Sequence, residues 1–301
     1  MAFFADQGRS DDAEAVLDLV AEEGADLVIH TGDFDYEGDP ARWDAMVTEA
    51  LGAEFPYFVT MGNHDKSAWD GPDGYQQVAW ERVADLPGVE CTGEYGERSV
   101  CTYKGLWFLL SAVGLDGESR DDHADYIEAE CEAASHLWKV ANWHRVQTEM
   151  QIGDKSSQAG WGVYEESLAC GAIVSTSHEH SYARTRTLTS MIDQTVDSTC
   201  AGATELCVGP GRTFAFHSGL GGHSIRHQER CFPEEFPYGC RGEWASIYTA
   251  TQDATFGALF ITFHVDGDPA KAEGYFKTID GQVVDSFTVT ASGWDGGKPS
   301  P

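Results

Sequence analysis

The stretch Asp26-Leu27-Val28-Ile29-His30-Thr31-Gly32-Asp33-Phe34-Asp35-Tyr36 decides how this chain is read. Asp26–His30 has the length and apolar density of a buried strand, and it stops at a glycine followed by two acids and a tyrosine. In sheets with parallel strands, ligands collect beyond the carboxyl ends of the strands. The stretch is therefore read as a strand that delivers oxygen donors to such an edge.

Working outward, four more strands end in the same way. Ala2–Ala5 runs into Asp6-Gln7-Gly8, and Pro56–Thr60 into Gly62-Asn63-His64-Asp65. Lys139–Trp143 ends at His144, and Ala172–Ser177 ends at His178-Glu179-His180. Between the first three strands lie helical patterns. Ser10 or Asp11 can cap a helix in which Ala13, Val16, Leu17, Val20 and Ala21 recur on one face before Gly24. A second helix covers roughly Ala41–Leu51. This β-α-β-α-β order implies parallel strands with helices on the sheet faces, an α/β fold. A helix near Tyr75–Leu86, a hairpin spanning Cys91 and Cys101, a strand Leu106–Ala112 and a helix Asp121–Leu137 follow. Beyond about residue 185 the runs Phe214–Ser218, Ser246–Thr251, Gly257–Val265, Ala272–Thr278 and Val283–Thr290 are short strands, expected to be antiparallel. No repeat or linker divides the chain, so a single catalytic domain over 1–291 and a tail over 292–301 are expected.

The strand ends supply what a pair of metal ions needs. Two ions about 3.5–4 Å apart require a bridging carboxylate and a mixed nitrogen and oxygen shell. Asp33 sits centrally enough to bridge. Asp6 and Tyr36 add hard oxygens for one ion, Asn63 a neutral carbonyl for the other, and histidines complete the shells. A phenolate ligand favours a strongly Lewis-acidic ion such as Fe(III), because tyrosine otherwise stays protonated up to pH ~10.

Taken in order, Asp6-Gln7-Gly8, Gly32-Asp33-Phe34-Asp35-Tyr36, Gly62-Asn63-His64-Asp65, Trp143-His144 and His178-Glu179-His180 resemble the ordered blocks of the calcineurin-like metallophosphoesterase family. Tyr36, the continuation Ser181-Tyr182-Ala183-Arg184 and the segment Gly257–Val289 resemble its purple acid phosphatase branch. The resemblance implies a four-layer α/β/β/α sandwich. It implies Asp6, Tyr36 and His180 around a first metal, Asn63, His144 and His178 around a second, and Asp33 shared. His64 would contact the phosphoryl oxygen or protonate the leaving group, making His64 and Asp33 the catalytic pair; apart from the resemblance, Arg184 and His223 are read as candidates for the substrate side. The implied cofactors are two metal ions, Fe(III) with Fe(II), Zn(II) or Mn(II). The implied activity is hydrolysis of phosphate esters by a metal-activated hydroxide, foremost as a phosphomonoesterase. The alternatives are a phosphodiesterase or nucleotidase on the same centre, or a non-catalytic metal-binding scaffold. The chain departs from the pattern at Ala5, Ala141 and Ser177, none of them a ligand. The branch's further histidines after the fourth block are missing, and Gln147, Gln151 and Lys155 occupy that stretch. The N-terminal β-sandwich of the plant-type enzymes has no counterpart in this chain.

Composition bounds the partners. The 301 residues carry 50 acids against 19 bases, a net charge of -31, in a chain that is 42% hydrophobic. That is enough apolar material for a core and the wrong sign for a nucleic-acid binder, which must displace counterions with a basic face. A small phosphate ester is the expected partner, with no nucleic acid as a main one, and no apolar run is long enough to span a bilayer. Eight cysteines without a CxxC spacing point to disulfides and a secreted, periplasmic or extracellular setting. The pairs Cys91–Cys101, Cys131–Cys170, Cys200–Cys207 and Cys231–Cys240 are expected, eight buried thiols being the alternative. The abrupt start at Met1 is read as the trace of a trimmed leader. Of the other histidines, His30 reads as packed beneath the site, His123 and His136 as helix residues and His264 as a strand residue. Of His217, His223 and His227, which flank Gly219–Gly222, one is expected near the pocket. Trp69 and Trp161 are candidates for stacking on substrate, and the runs Asp70–Gly74 and Asp266–Asp268 read as turns rather than calcium loops.

Overall fold

The computed structural model describes residues 1–292. Apart from Ser292, the expected tail 292–301 lies outside the described residues. The chain begins with β1 (Ala2–Phe4), α1 (Asp11–Glu22), β2 (Val28–His30), α2 (Pro40–Leu51), β3 (Tyr57–Val59) and α3 (Tyr75–Glu81). Next come β4 (Glu90–Glu94), β5 (Arg98–Tyr103), β6 (Leu106–Ser111), α4 (Arg120–Ala133), β7 (Trp138–Trp143), α5 (Gly162–Ala169) and β8 (Ile173–Thr176). The remainder is strands and short turns: β9 (Tyr182–Thr185), β10 (Leu188–Ser190), β11 (Thr195–Val196), β12 (Glu205–Val208) and β13 (Ala215–Ser218), then β14 (Trp244–Tyr248), β15 (Gly257–Phe263), β16 (Lys271–Thr278) and β17 (Val283–Ala291).

Local chemistry explains the helix starts. Ser10 Oγ accepts from Ala13 N at 3.2 Å, and Asp11, Asp12 and Glu14 sit in the first turn of α1, where the helix dipole favours negative charge. Asp39 caps α2 with Pro40 at its first position, where the missing N–H costs nothing. Ser119 and Asp122 form a reciprocal capping box on α4.

Two mixed sheets form the body. One runs β12-β17-β16-β15-β1-β2-β3, the other β14-β9-β13-β8-β7-β6-β5-β4, and β10-β11 is a separate ribbon. The sheets face each other through interlocking aromatics: Phe3 on Phe216 at 5.1 Å, Phe58 on Phe108 at 5.3 Å and Tyr182 on Phe276 at 4.2 Å between ring centroids. Each fully buried ring of this kind contributes about 1.5–3 kcal/mol through burial. Phe4, next along β1 and so on the opposite face, packs with His30, while Phe34 packs on Trp43 of α2. On the second sheet, Ile127 of α4 and Val163 and Leu168 of α5 pack against Leu109, Ala141 and Val174. The result is the expected α/β/β/α layering, with β1-β2-β3 and β6-β7-β8 each parallel, so that their carboxyl ends gather at one rim.

Several expectations are corrected. The C-terminal half is not purely antiparallel, since β13 runs parallel to β8 and β12 parallel to β17. The helix expected over Asp121–Leu137 stops at Ala133, because Ala134 is already extended, and His136 lies beyond it. The helix from Tyr75 ends at Glu81 rather than Leu86. β15 ends at Phe263, and His264 takes a left-handed turn conformation instead of a strand one. β14 spans Trp244–Tyr248, and Ala250–Gln252 is a helical turn capped by Thr249. Trp69 is buried in the core with its indole N–H on Glu97, so it cannot stack on a substrate. Trp161 is half-buried at the start of α5, near Tyr164. All four expected disulfides are present, and Cys131–Cys170 ties α4 to the end of α5. Among the described residues no helix is long and apolar enough to cross a membrane.

Candidate metal centre

The two sheets are tied together where their strands end. Ser177 Oγ, just past β8, donates to Thr31 O, just past β2, at 2.6 Å, and Ser177 N donates to His144 O. Around this junction the candidate ligands fall into two adjoining groups. In the first, Tyr36 OH donates to Asp6 Oδ1 at 3.1 Å, and His180 Nε2 lies 3.4 Å from the same oxygen and 3.3 Å from the phenol. In the second, His144 Nε2 lies 3.2 Å from Asn63 Oδ1 and 3.3 Å from Asp33 Oδ2. Ligand atoms of Asp33, His144 and His178 all lie within 4.8 Å of one another.

Backbone geometry shows how hard the chain works to aim these donors. Asp6, Asp33, Tyr36 and His178 all have φ between 56° and 68°, a conformation costly for residues with a Cβ. Gly62 is required for a different reason: a Cβ there would overlap the backbone N and Oδ1 of Asp33. Asp65, fully enclosed, clamps the second and third blocks together. Its carboxylate accepts from Asp33 N (2.8 Å), Phe34 N (2.9 Å) and Gly62 N (2.7 Å). Asp35 holds the following loop by accepting from the backbone N–H groups of Glu37, Gly38 and Asp39.

The donor set fits divalent or trivalent cations. His144 Nδ1 faces Thr31 O at 2.8 Å and Ser177 Oγ at 2.9 Å. A nitrogen facing a carbonyl must carry the proton, so in the neutral ring the lone pair sits on Nε2, toward Asp33 and Asn63. Ser224 Oγ engages His180 Nδ1 at 2.6 Å and turns Nε2 of that ring toward Asp6 and Tyr36. Each carboxylate likewise spends one oxygen on the backbone: Asp33 Oδ1 accepts from His64 N at 2.8 Å and Asp6 Oδ2 from His178 N at 3.0 Å. The electrostatics agree. Burial, with Arg226 and Lys155 nearby, lowers His180 to about 3, and burial with His144 lowers His178 further, so both rings are neutral and able to bind metal. Burial raises Asp6 to about 7. Burial opposes the charge on His144, but the Asp33 carboxylate overrides it and lifts the ring to about 9. Burial, then the Asp6 and Asp33 charges, push the Tyr36 phenol far above its ordinary range. Only a strongly Lewis-acidic ion could ionise it there.

At the rim, the Tyr36 ring lies between two exposed imidazoles. His223 stacks on it at 3.6 Å and 9°, and His64 packs at 4.5 Å. His223 is thus placed beside the centre, as expected of one histidine in its segment, whereas His217 is buried against Ser181 and His227 lies out by Thr251. His30 is packed beneath the site on Tyr57, and His123 is buried between Ser111 and Asp116. Arg184 requires a correction. Its guanidinium is buried over Phe287, paired with both oxygens of Asp285 and bonded to the carbonyls of Thr185 and Ala203, so it is not available to a substrate. Sequence reasoning gave no role to Thr31, Asp65, Ser177 or Ser224. Asp65 stood inside a quoted block, and Ser177 stood out as a departure from it, but nothing in their spacing marks a hydrogen-bond partner.

The family model described as calcineurin-like phosphoesterase matches residues 3–182, from β1 to the first residue of β9. In fold, the chain is similar to a purple acid phosphatase from yellow lupin (Lupinus luteus) seeds, with a TM-score of 0.67 and 18% identity over 96% of this chain and 53% of the lupin chain. It is also similar to GAP50, described as the anchor in the inner membrane complex of Plasmodium (TM-score 0.59, 9% identity, 98% of this chain and 89% of that one). A third solved structure, PhoD, gives a TM-score of 0.51 at 14% identity, over 98% of this chain and 72% of that one. The chain spans about half the length of the lupin protein. No curated protein matches it in sequence. With every candidate ligand inside the matched segment and the donors gathered into two adjoining groups, the chain belongs to the calcineurin-like phosphoesterase family.

Proposed function

We propose that this protein hydrolyses small phosphate esters, foremost monoesters, at a two-metal centre. The observation that carries the proposal is that Asp6, Tyr36 and His180 meet in one cluster and Asn63, His144 and His178 gather in another, with the Asp33 carboxylate against His144. The first group would hold one ion, the second the other, and Asp33 would be shared. When bound, the ions supply Lewis acidity that offsets phosphate charge and lowers the pKa of water at the site. Tyr36 suits Fe(III), and a neutral amide oxygen with two imidazoles suits Fe(II), Zn(II) or Mn(II).

The protein's own groups do the rest. His64 stands exposed at the rim with its backbone N–H on Asp33 Oδ1, and its ring would meet a phosphoryl oxygen or give a proton to the leaving alkoxide. His223 braces the Tyr36 ring from the other face and lines the substrate side. The four disulfides support an exported setting. The excess of acids supports small substrates over nucleic acids.

A diesterase or nucleotidase is the second reading, favoured by the exposed, unroofed positions of His64 and His223. The fold is also carried by a protein described as an anchor, so fold alone does not speak for catalysis. The intact donor set does. Turnover of p-nitrophenyl phosphate and bis-p-nitrophenyl phosphate by metal-loaded protein separates these readings. The proposal expects the monoester to be the better substrate. A better diester would favour the second reading, and no turnover of either by metal-replete protein would contradict hydrolysis.

A further inference from the structure

The loop between β7 and α5 carries a cation that none of the roles above uses. Thr148 Oγ1 and Gln151 Nε2 both hold the carbonyl of Lys155, at 3.2 and 3.1 Å. Gly153 N donates to Gln151 Oε1 at 2.6 Å, and a Cβ at Gly153 would overlap the Glu179 carboxylate, so this turn is pressed onto the His178-Glu179-His180 segment. The next layer fixes it further. Glu229 N donates to Ile152 O at 2.9 Å, Arg226 N to His180 O at 2.9 Å, and the Arg226 guanidinium reaches Asp154 at 3.4 Å. Lys155 therefore leaves a braced turn beside the metal-site histidines.

Its ammonium is half-buried and forms no ion pair among the described residues, in a chain where acids outnumber bases by 50 to 19. Burial and Arg226 lower its pKa, while Asp6, Glu179 and Asp33 act in the opposite sense. The turn that carries it lies against the segment holding His178 and His180, with Gly153 on the Glu179 carboxylate and Arg226 N on His180 O. A cation kept unpaired beside a centre built for phosphate is available to the substrate.

We propose that Lys155 is a substrate-binding residue that receives an unesterified phosphate oxygen and so favours monoesters over diesters. The inference rests on the two-metal phosphoesterase reading. A monoester dianion has one more unesterified oxygen, and one more negative charge, than a diester. A charge-assisted hydrogen bond from an ammonium rewards that difference.

The test compares Lys155→Met, which keeps the stem and removes the charge, with Lys155→Arg, which keeps the charge. Metal content of each is measured first, then affinity for inorganic phosphate by calorimetry, then KM and kcat on the two nitrophenyl esters. In Lys155→Met, phosphate affinity falls about tenfold and monoester KM rises by a similar factor, with wild-type metal content. The diester KM moves by less than about threefold, and Lys155→Arg recovers most of the loss. Unchanged phosphate affinity in Lys155→Met, equal losses on both esters, or loss of metal would overturn the role. A loss of thermal stability alone, with affinities intact, would also overturn it and mark Lys155 as a counter-charge for Glu179. If the wild type binds phosphate but turns over neither ester, hydrolysis fails, and the phosphate titration still decides the role of Lys155.

Discussion

Ser177 shows how much of this site lies one step behind the ligands. Its hydroxyl bridges Thr31 O and His144 Nδ1 and so decides which nitrogen of His144 faces the centre. Ser177→Gly is expected to weaken metal binding about tenfold or more while leaving the fold intact, measured by competition with a chelator. An unchanged affinity would mean that Thr31 O alone orients the ring. Protonation offers a second test. Burial raises Asp6 and Asp65 to about 7, and Asp33 lifts His144 to about 9 against the effect of burial. All three sit above their unfolded values, so they favour the metal-free protein at low pH, and that contribution is lost as pH rises through about 7 and then about 9. Cations need the same groups deprotonated, so the rise in Tm on adding metal should grow from about pH 5 to about pH 9. A rise that shrinks over that range would contradict the assignment. The candidate ligands could be picked out in sequence because coordination demands particular residue types at strand ends. Their hydrogen-bond partners were not, since any serine or carbonyl can serve. Arg184 was misread because a motif position does not say that Asp285, a hundred residues away in sequence, will meet its guanidinium.

At the scale of elements, the site depends on loops held by single carboxylates. Asp65 joins the loop after β3 to the loop after β2 through three backbone N–H groups. Asp65→Ala strands those buried donors and is expected to cost about 3 kcal/mol or more, with metal affinity lost in parallel. Chemical denaturation of metal-free protein measures the first effect and metal titration the second. A variant as stable as the wild type would show that water replaces the clamp. The strands β1, β2, β3, β7 and β8 could be read from sequence because each is an apolar run that stops at polar donors. The elements α5 and β9 could not. The helix α5 is short and has no side-chain cap at Trp161, and β9 hides a buried arginine inside an otherwise plausible loop. The parallel pairing of β12 with β17 joins segments far apart in sequence, which local pattern cannot reveal.

The whole molecule carries a charge of -31 around a centre that would hold several positive charges. At long range the surface repels polyanions, whereas at short range the proposed metals and Lys155 would attract phosphate. Cleavage of a short oligonucleotide, if present, should therefore rise as salt increases from roughly 0.01 M to roughly 0.15 M, where screening shortens the range of the repulsion. A steady fall with salt would show that some local basic surface, rather than net charge, guides approach. The four-layer architecture was legible because the helix and strand patterns alternate early in the chain, and the residues that close the two sheets on each other confirm it. On the proposed function, Asp33 joins two metal sites into one hydrolytic centre. The most direct test is elemental analysis of wild type and Asp33→Asn beside turnover of p-nitrophenyl phosphate. Two metal ions per wild-type chain are expected, and in the variant a loss of metal together with a fall in turnover of more than about a hundredfold. An Asp33→Asn protein with full metal content and normal turnover would contradict it.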